Sequence, residues 1–214
     1  MARRAGSSRS RDMAQKGVPP SPYICRTIPH FDILDEGQIL RLEGQVDWIL
    51  QDVGIAFRDD STALKLWRRE GATVEDDIVR APADWIRALC AKAPSEFIQL
   101  ARNRERSVVI GGNNQVFAPI YGAPFVRDLE GGRRYGDMKA FQDLVRLSYL
   151  HPNLHHGGFV TCEPCDVPVS KRHLDMLFAH MTLSDKPHLG AITEMSRAQD
   201  SVDMAEIVFG ADVM

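Results

Sequence analysis

The sequence has no long apolar run. No segment approaches the ~18 consecutive apolar residues that a membrane-spanning helix needs. The N-terminus also has no apolar stretch that could serve as the core of a secretory signal. We therefore predict neither a membrane association nor export, and we expect a cytoplasmic location.

Cysteine is scarce as well. Cys25, Cys90, Cys162 and Cys165 are spread over 214 residues, which is too few for a disulfide scaffold and favours a reducing compartment. Cys162 and Cys165 have the C-x-x-C spacing of zinc and redox sites, but the other two cysteines offer no matching second pair of ligands. We predict no metal site and favour ordinary loop cysteines, while a redox dithiol stays open.

Positive charge is concentrated at the N-terminus. The chain has 44% apolar and 26% charged residues and a net charge of −3, a composition typical of globular proteins. Residues 1–17 carry five cations and one anion, a balance of +4, so residues 18–214 carry −7. The tail has no aromatic residue and no apolar periodicity, which predicts disorder. The acidic body argues against nucleic-acid binding.

Residues 18–136 are predicted to form an N-terminal region of helices and β-hairpins. Asp35 is a plausible N-cap for a first helix that ends at Gly54, and two shorter helices are predicted over 61–70 and from Pro82. The first helix has an apolar stripe that we expect to lie in the core. The stripe comprises Ile39, Leu42, Val46, Ile49, Leu50 and Val53.

The hairpins are predicted from residue 96 onward. Short β-type runs at 97–100, 108–110 and 116–120 alternate with turns that contain glycine. We expect 128–136 to be a polar loop.

Residues 137–214 repeat a strand, a loop and a helix. A helix is predicted around Phe141 and ends before His151. The apolar runs at 157–162 and 188–193 are each followed by a helical pattern, over 170–184 and 197–209. Two such repeats about 30 residues apart predict a pair of parallel βα units.

The predicted fold class is α/β, an incomplete TIM (β/α)₈ barrel. A complete barrel takes about 250 residues, whereas most of this chain precedes the repeating units. We therefore expect only the first βα units, preceded by the helical and hairpin region.

Functional side chains in parallel βα folds lie at the C-terminal ends of the strands and in the loops that follow. This rule selects Thr161, Cys162, Glu163 and Asp166 after the first predicted strand, and Thr193 and Glu194 after the second. Taken one at a time, these are also the residues of ordinary turns, caps and solvated loops. The histidines of this region lack metal-ligand spacing, and we expect them to be solvated or to cap helices.

Three stretches carry a resemblance to a known family. They are NNQVFAPIYGAPFVRD at 113–128, RRYGDMKAFQDLVRLSYLHPN at 133–153 and EPCDVPVSKRHLDMLFAHMTLSDKPHLGAI at 163–192. Their order and spacing resemble the N-terminal half of the trimethylamine:corrinoid methyltransferase family, over roughly residues 30–214.

The resemblance implies a function. Such enzymes are TIM barrels that move a methyl group from a methylated amine, of the trimethylamine or glycine betaine type, to a corrinoid (cobalamin) carried by a separate protein. An amine cation suits aromatic faces and carboxylates, and Tyr121, Glu163 and Glu194 are the candidates for binding it. The branch of the family, with pyrrolysine or with ordinary residues, stays open, as does a homo-oligomer.

Because the resemblance covers only the N-terminal half of the family, we expect the chain alone to be inactive. The alternative is a non-catalytic truncated module, or a remnant, that folds only with a partner chain.

Overall fold

The computed structural model describes residues 24–29, 31–190 and 192–210. The tail predicted to be disordered, residues 1–17, lies outside the described residues. The chain divides into two compact units, Ile28–Ser95 and the remainder. The predicted boundary between 136 and 137 falls within the second unit and stays a prediction.

Helices and short strands together make a mixed α/β structure. Six α-helices occur within the described residues: α1 Glu36–Trp48, α2 Ser61–Arg69, α3 Trp85–Cys90, α4 Met138–Leu150, α5 Val169–Leu183 and α6 Met195–Phe209. In this part of the chain, no helix combines the length and the apolar character needed to cross a bilayer.

The strands form small antiparallel sheets. They are β1 Ile24–Cys25, β2 Ile55–Ala56, β3 Thr73–Glu75, β4 Ile78–Arg80, β5 Glu96–Gln99, β6 Val108–Gly111, β7 Asn114–Gln115, β8 Phe125–Asp128 and β9 Gly132–Tyr135. The unit at 28–95 contains the three-stranded sheet β2-β4-β3, and the other unit contains the pairs β1-β7, β5-β6 and β8-β9.

The first predicted helix is confirmed at both ends. The Asp35 side chain accepts a hydrogen bond from the Gln38 N–H at 2.8 Å, and the Gln38 side chain accepts one from the Asp35 N–H at 2.9 Å. These two bonds satisfy N–H groups that a helix start leaves without partners. Beyond α1 the chain continues as one π-helical turn, Ile49–Val53, and stops at Gly54 with φ +83°.

The prediction that the stripe of α1 lies in the core is wrong. None of the residues of α1 is buried, and Ile39, Leu42 and Val46 are about half exposed. The buried apolar residues that the structure describes in this unit are small, namely Ala72, Val79 and Ala81. A core of that size cannot cover a four-turn apolar stripe.

The hairpin predictions are partly confirmed. β5 pairs with β6, as the runs at 97–100 and 108–110 predicted. The run at 116–120 is not a strand, and the predicted loop at 128–136 instead contains β9, which pairs with β8. Phe125 and Tyr135 lie opposite each other in that pair with ring centroids 4.6 Å apart, a cross-strand contact that a local reading of the polar sequence misses.

The two predicted parallel strands are not regular strands. Residues 157–162, and the described residues of 188–193, have no strand assignment. Gly158 adopts φ +70°, far from the extended backbone of a strand, and the Thr161 N–H bonds back to the Phe159 carbonyl at 3.1 Å. Both features interrupt the ladder of hydrogen bonds that a regular strand makes with its neighbour.

The segment 155–163, here called the central segment, nevertheless runs in the same direction as residues 117–123. The Phe117 carbonyl accepts from the His155 N–H at 3.0 Å, and further along both segments the Gly122 N–H donates to the Val160 carbonyl at 2.7 Å. Residue numbers therefore increase in the same direction along the central segment and along residues 117–123, as they do in a parallel strand pair.

The central segment has a second neighbour with the same direction. The Gly157 N–H donates to the Pro187 carbonyl at 2.8 Å, and the Leu189 N–H donates to the Gly158 carbonyl at 3.1 Å. Three chain segments therefore run side by side in one direction, and α5 and α6 each follow one of them.

The main core lies between α4, the central segment and α5. Its buried members are Phe141 and Val145 from α4, Phe159, Val160 and Cys162 from the central segment, and Met176 and Ala179 from α5. Phe141 has no exposed surface. The central segment is thus held by apolar packing as well as by backbone hydrogen bonds.

We predict that Phe141→Ala lowers the free energy of unfolding by about 3–5 kcal/mol, because it leaves a cavity in this core. Leu147→Ala in the same helix is the control, since Leu147 is 62% exposed, and should cost about 0.5 kcal/mol or less. Urea unfolding followed by circular dichroism measures both. Equal losses in the two variants would contradict the position of the core.

Candidate functional site

A cavity of about 310 Å³ lies at the end of the central segment. Its wall includes Tyr121, Phe159, Glu163, Arg172, Thr193 and Arg197. These residues come from the ends of the co-directional segments and from the first turns of α5 and α6. The cavity therefore lies where the positional rule for βα folds predicts function.

Three of the five predicted site residues share this cavity. Tyr121, Glu163 and Thr193 line it, whereas Thr161 and Glu194 are not among its lining residues. Thr161 is buried, and its hydroxyl has no hydrogen-bond partner among the described residues. The site roles of all five stay predictions.

Both predicted carboxylates are paired with arginines. Glu163 Oε2 accepts from Arg172 Nη1 at 3.1 Å, and Glu194 Oε1 accepts from Arg197 Nε at 2.8 Å. The Glu163 pair is partly buried, while the Glu194 side chain is 59% exposed. The carboxylates are thus not isolated negative charges.

Aromatic rings form another part of the wall. The rings of Tyr121 and Phe159 are 6.3 Å apart and tilted by 42°. Tyr121 is 65% exposed and Phe159 is 2% exposed, so one ring lies at the rim and the other in the interior. Aromatic faces attract cations.

The predicted site residues did not include three residues of the cavity wall, Phe159, Arg172 and Arg197. Phe159 belongs to the apolar run predicted as the first strand, and the structure places it in the core. No role was predicted for either arginine. The spacing of charged residues did offer a signal for the arginines. Arg172 follows Glu163 by nine residues, across a loop, and the two form a salt bridge. Arg197 follows Glu194 by three residues, within one helical turn, and these two also form a salt bridge.

The loop cysteines differ from each other. Cys165 is exposed, whereas Cys162 is part of the core. Burial raises the pKa of the Cys162 thiol to about 11. A redox dithiol needs a readily ionised thiol, so the environment of Cys162 opposes that interpretation.

The expectation of solvated histidines is wrong for most of this region. His155, His156, His173 and His180 are buried. His180 donates from Nε2 to the Phe159 carbonyl at 2.7 Å and stacks on His188 with centroids 5.4 Å apart. Histidines fill the core here because their rings pack like other aromatic rings.

Burial favours the neutral form of three histidines, His156, His180 and His188. It lowers the pKa of His156 to about 4 and the pKa of His188 to about 4, and the nearby His180 ring adds to both shifts. Burial also lowers the pKa of His180. Within the described part of the chain, no cluster of three or more histidine, cysteine or acidic residues is arranged to hold a metal ion.

The structure is that of a mixed α/β protein with a cavity beside the ends of co-directional chain segments. The model of the family described as "Trimethylamine methyltransferase (MTTB)" matches residues 2–214. The chain belongs to this family.

A curated relative shows the same relationship. The chain is 39% identical over 183 residues to a protein of Desulfitobacterium hafniense (strain Y51) named "Glycine betaine methyltransferase". The match covers 86% of this chain and 38% of that protein. The chain thus spans well under half the length of this relative.

We predict that stability falls with acidity between about pH 6.5 and pH 4. Unfolded histidines take up a proton near pH 6.5, but His156 and His188 do not do so in the folded state until about pH 4. In this window the unfolded state binds more protons, so the free energy of unfolding declines as the pH falls, by at most about 1.4 kcal/mol per pH unit for each histidine.

Urea unfolding across this pH range measures the effect. The variant His156→Gln/His188→Gln should have a shallower dependence than the parent, and His151→Gln, at an exposed position, is the control. An unchanged slope in the double variant would show that other groups cause the acid sensitivity.

Proposed function

We propose that this chain is part of a methyltransferase that moves a methyl group from a methylated amine to a corrinoid on a separate protein. Family membership and the name of the Desulfitobacterium relative support a methylated amine of the trimethylamine or glycine betaine type as the substrate. The observation that carries the proposal is the cavity itself, where Tyr121 and Phe159 stand near the carboxylate of Glu163.

The proposal includes the incomplete TIM barrel. The central segment is hydrogen-bonded to a co-directional segment on each side. This arrangement supports the first part of a barrel in which the strand pairing is not fully regular. The helices α5 and α6 follow these segments as the helices of βα units do. The cavity would then lie at the mouth of the barrel.

The cavity can bind a methylated ammonium group. The Tyr121 and Phe159 rings offer faces to the positive charge, and Glu163 compensates part of that charge at the wall. Such a site contributes mainly by holding the amine in one orientation. Positioning alone substantially lowers the activation barrier of a bimolecular reaction.

A corrinoid brought to this site would supply the electron pair that forms the new bond to the methyl carbon. The electron pair of the broken methyl–nitrogen bond would stay on the departing amine, which would lose its positive charge. Tyr121 at the rim of the cavity is 65% exposed, which leaves this side open to a protein that carries the corrinoid. Tyr121 and Glu163 then hold the amine toward that side.

We expect Tyr121→Ala to weaken the binding of tetramethylammonium about tenfold, because a cation–π contact is lost. Isothermal titration calorimetry on the chain measures the affinity. Tyr135→Ala is the matched control, since Tyr135 is also 65% exposed but lies in β9 and not in the cavity. Equal affinity in the parent and the Tyr121 variant would contradict the aromatic site.

Glu163→Gln should also weaken tetramethylammonium binding, by about 1–2 kcal/mol, because the change leaves the Arg172 charge uncompensated at the wall. Glu206→Gln, at an exposed position of α6, is the control.

For the reaction itself, the chain joined to the remaining part of the Desulfitobacterium relative is assayed for methyl transfer from glycine betaine to reduced cobalamin. Parent rates in the Glu163 variant would contradict its role.

A second candidate is a non-catalytic module that folds only with a partner chain. The observation in its favour is the apolar stripe of α1, where Ile39, Leu42 and Val46 stay about half exposed. Exposed apolar surface of this kind is typical of interaction sites.

This alternative predicts that the chain alone shows no cooperative thermal transition in near-ultraviolet circular dichroism and binds the dye ANS. A monodisperse chain with a single cooperative transition would contradict it and would leave the first candidate in place.

A further inference from the structure

The cavity wall carries more positive than negative charge. Arg172 and Arg197 line it, and Glu163 is the acidic residue among the described lining residues. A site for a simple ammonium ion gains nothing from two guanidinium groups, which repel it. The wall therefore suits a ligand that carries a negative group as well.

The two arginines occupy an unfavourable position in their helices. Arg172 is the fourth residue of α5, and Arg197 is the third residue of α6. Cations near a helix N-terminus oppose the helix dipole, which typically costs about 0.3–1 kcal/mol each. Helix stability therefore does not explain why arginine stands at these positions.

Hydrogen bonding distinguishes the two side chains. Arg172 donates from Nε and Nη2 to the Val167 carbonyl, at 3.2 and 2.9 Å, and from Nη1 to Glu163. Each of its three nitrogens thus has a partner. This guanidinium is anchored to the loop before α5.

Arg197 has spare donors. Its Nε donates to Glu194, and its Nη2 donates to the Val169 carbonyl at a long 3.4 Å. A guanidinium has five N–H groups, so three of them, including both on Nη1, have no partner among the described residues.

The ion pair of Arg197 is open to solvent on one side. The Arg197 side chain is only 17% exposed, whereas that of Glu194 is 59% exposed. Exposed ion pairs are weak, so an incoming carboxylate can compete for Arg197.

We propose that Arg197 binds the carboxylate of the substrate and thereby selects a carboxylated quaternary amine over an amine without that group. This inference rests on the proposed function, in which Tyr121 and Phe159 face the ammonium group. A guanidinium recognises a carboxylate through two parallel N–H bonds, and Nη1 with Nη2 offers such a pair. Arg197 is then a specificity-determining residue, and Glu194 holds its place until the substrate enters.

The test compares three ligands that share a trimethylammonium group but differ in the fourth substituent. They are glycine betaine with a carboxylate, choline with a hydroxyl group, and tetramethylammonium with neither. Calorimetric titration of the chain should give the tightest binding for glycine betaine. Arg197→Gln should weaken glycine betaine binding about tenfold or more, given the strength of hydrogen bonds between charged groups, and leave choline binding unchanged.

Two further variants separate recognition from folding. Arg197→Lys keeps the charge but loses the paired donors, so it should weaken glycine betaine binding less than Arg197→Gln. Glu194→Gln removes the competitor for Arg197 and should strengthen glycine betaine binding several-fold, a gain that a purely structural salt bridge would not produce. Arg146→Gln is the control, because Arg146 is an exposed residue of α4 outside the cavity.

The outcomes are distinguishable. Equal weakening of glycine betaine and choline in Arg197→Gln, or weaker glycine betaine binding in Glu194→Gln, overturns the role of Arg197 and leaves the proposed function standing. Absence of binding for all three ligands in the parent chain overturns both proposals.

Discussion

The central segment is the element on which the rest of the second unit depends. Its backbone is hydrogen-bonded to residues 117–123 on one side and to the chain around Pro187 on the other. Its side chains Phe159, Val160 and Cys162 belong to the core with α4 and α5. Because Glu163 directly follows these residues, the same packing that stabilises the unit also fixes one wall of the cavity.

Features set by local sequence could be predicted, and features set by distant contacts could not. The cap at Asp35 and the stop at Gly54 depend on neighbouring residues, and both were found. The backbone of Gly158 depends on what packs beside it, and so does the exposure of the α1 stripe. Periodicity identifies an apolar face but does not say whether the chain supplies enough apolar surface to bury it.

The candidate site shows the same division. The positional rule found Glu163 and Thr193, because strand ends converge whatever their side chains are. Tyr121 was found through the family resemblance, and the rule also selected Thr161 and Glu194, which do not line the cavity. The rule could not show that Glu163 and Glu194 are held by arginines, since that depends on how α5 and α6 begin. The pairing places a guanidinium group beside each carboxylate, and it is the basis for proposing a ligand with charges of both signs.

The core and the rim of the cavity lie at different depths of the molecule, so ligand recognition can be changed separately from the fold. Phe159 and Cys162 are buried core residues, and replacing them alters the unit that supports the cavity. Tyr121 lies at the rim, and Arg197 bonds to an exposed carboxylate and to one carbonyl at a long distance. Few stabilising contacts are lost when these two are changed, so their variants report on ligand recognition. The two proposals can therefore be tested one side chain at a time, the ammonium contact at Tyr121 and the carboxylate contact at Arg197.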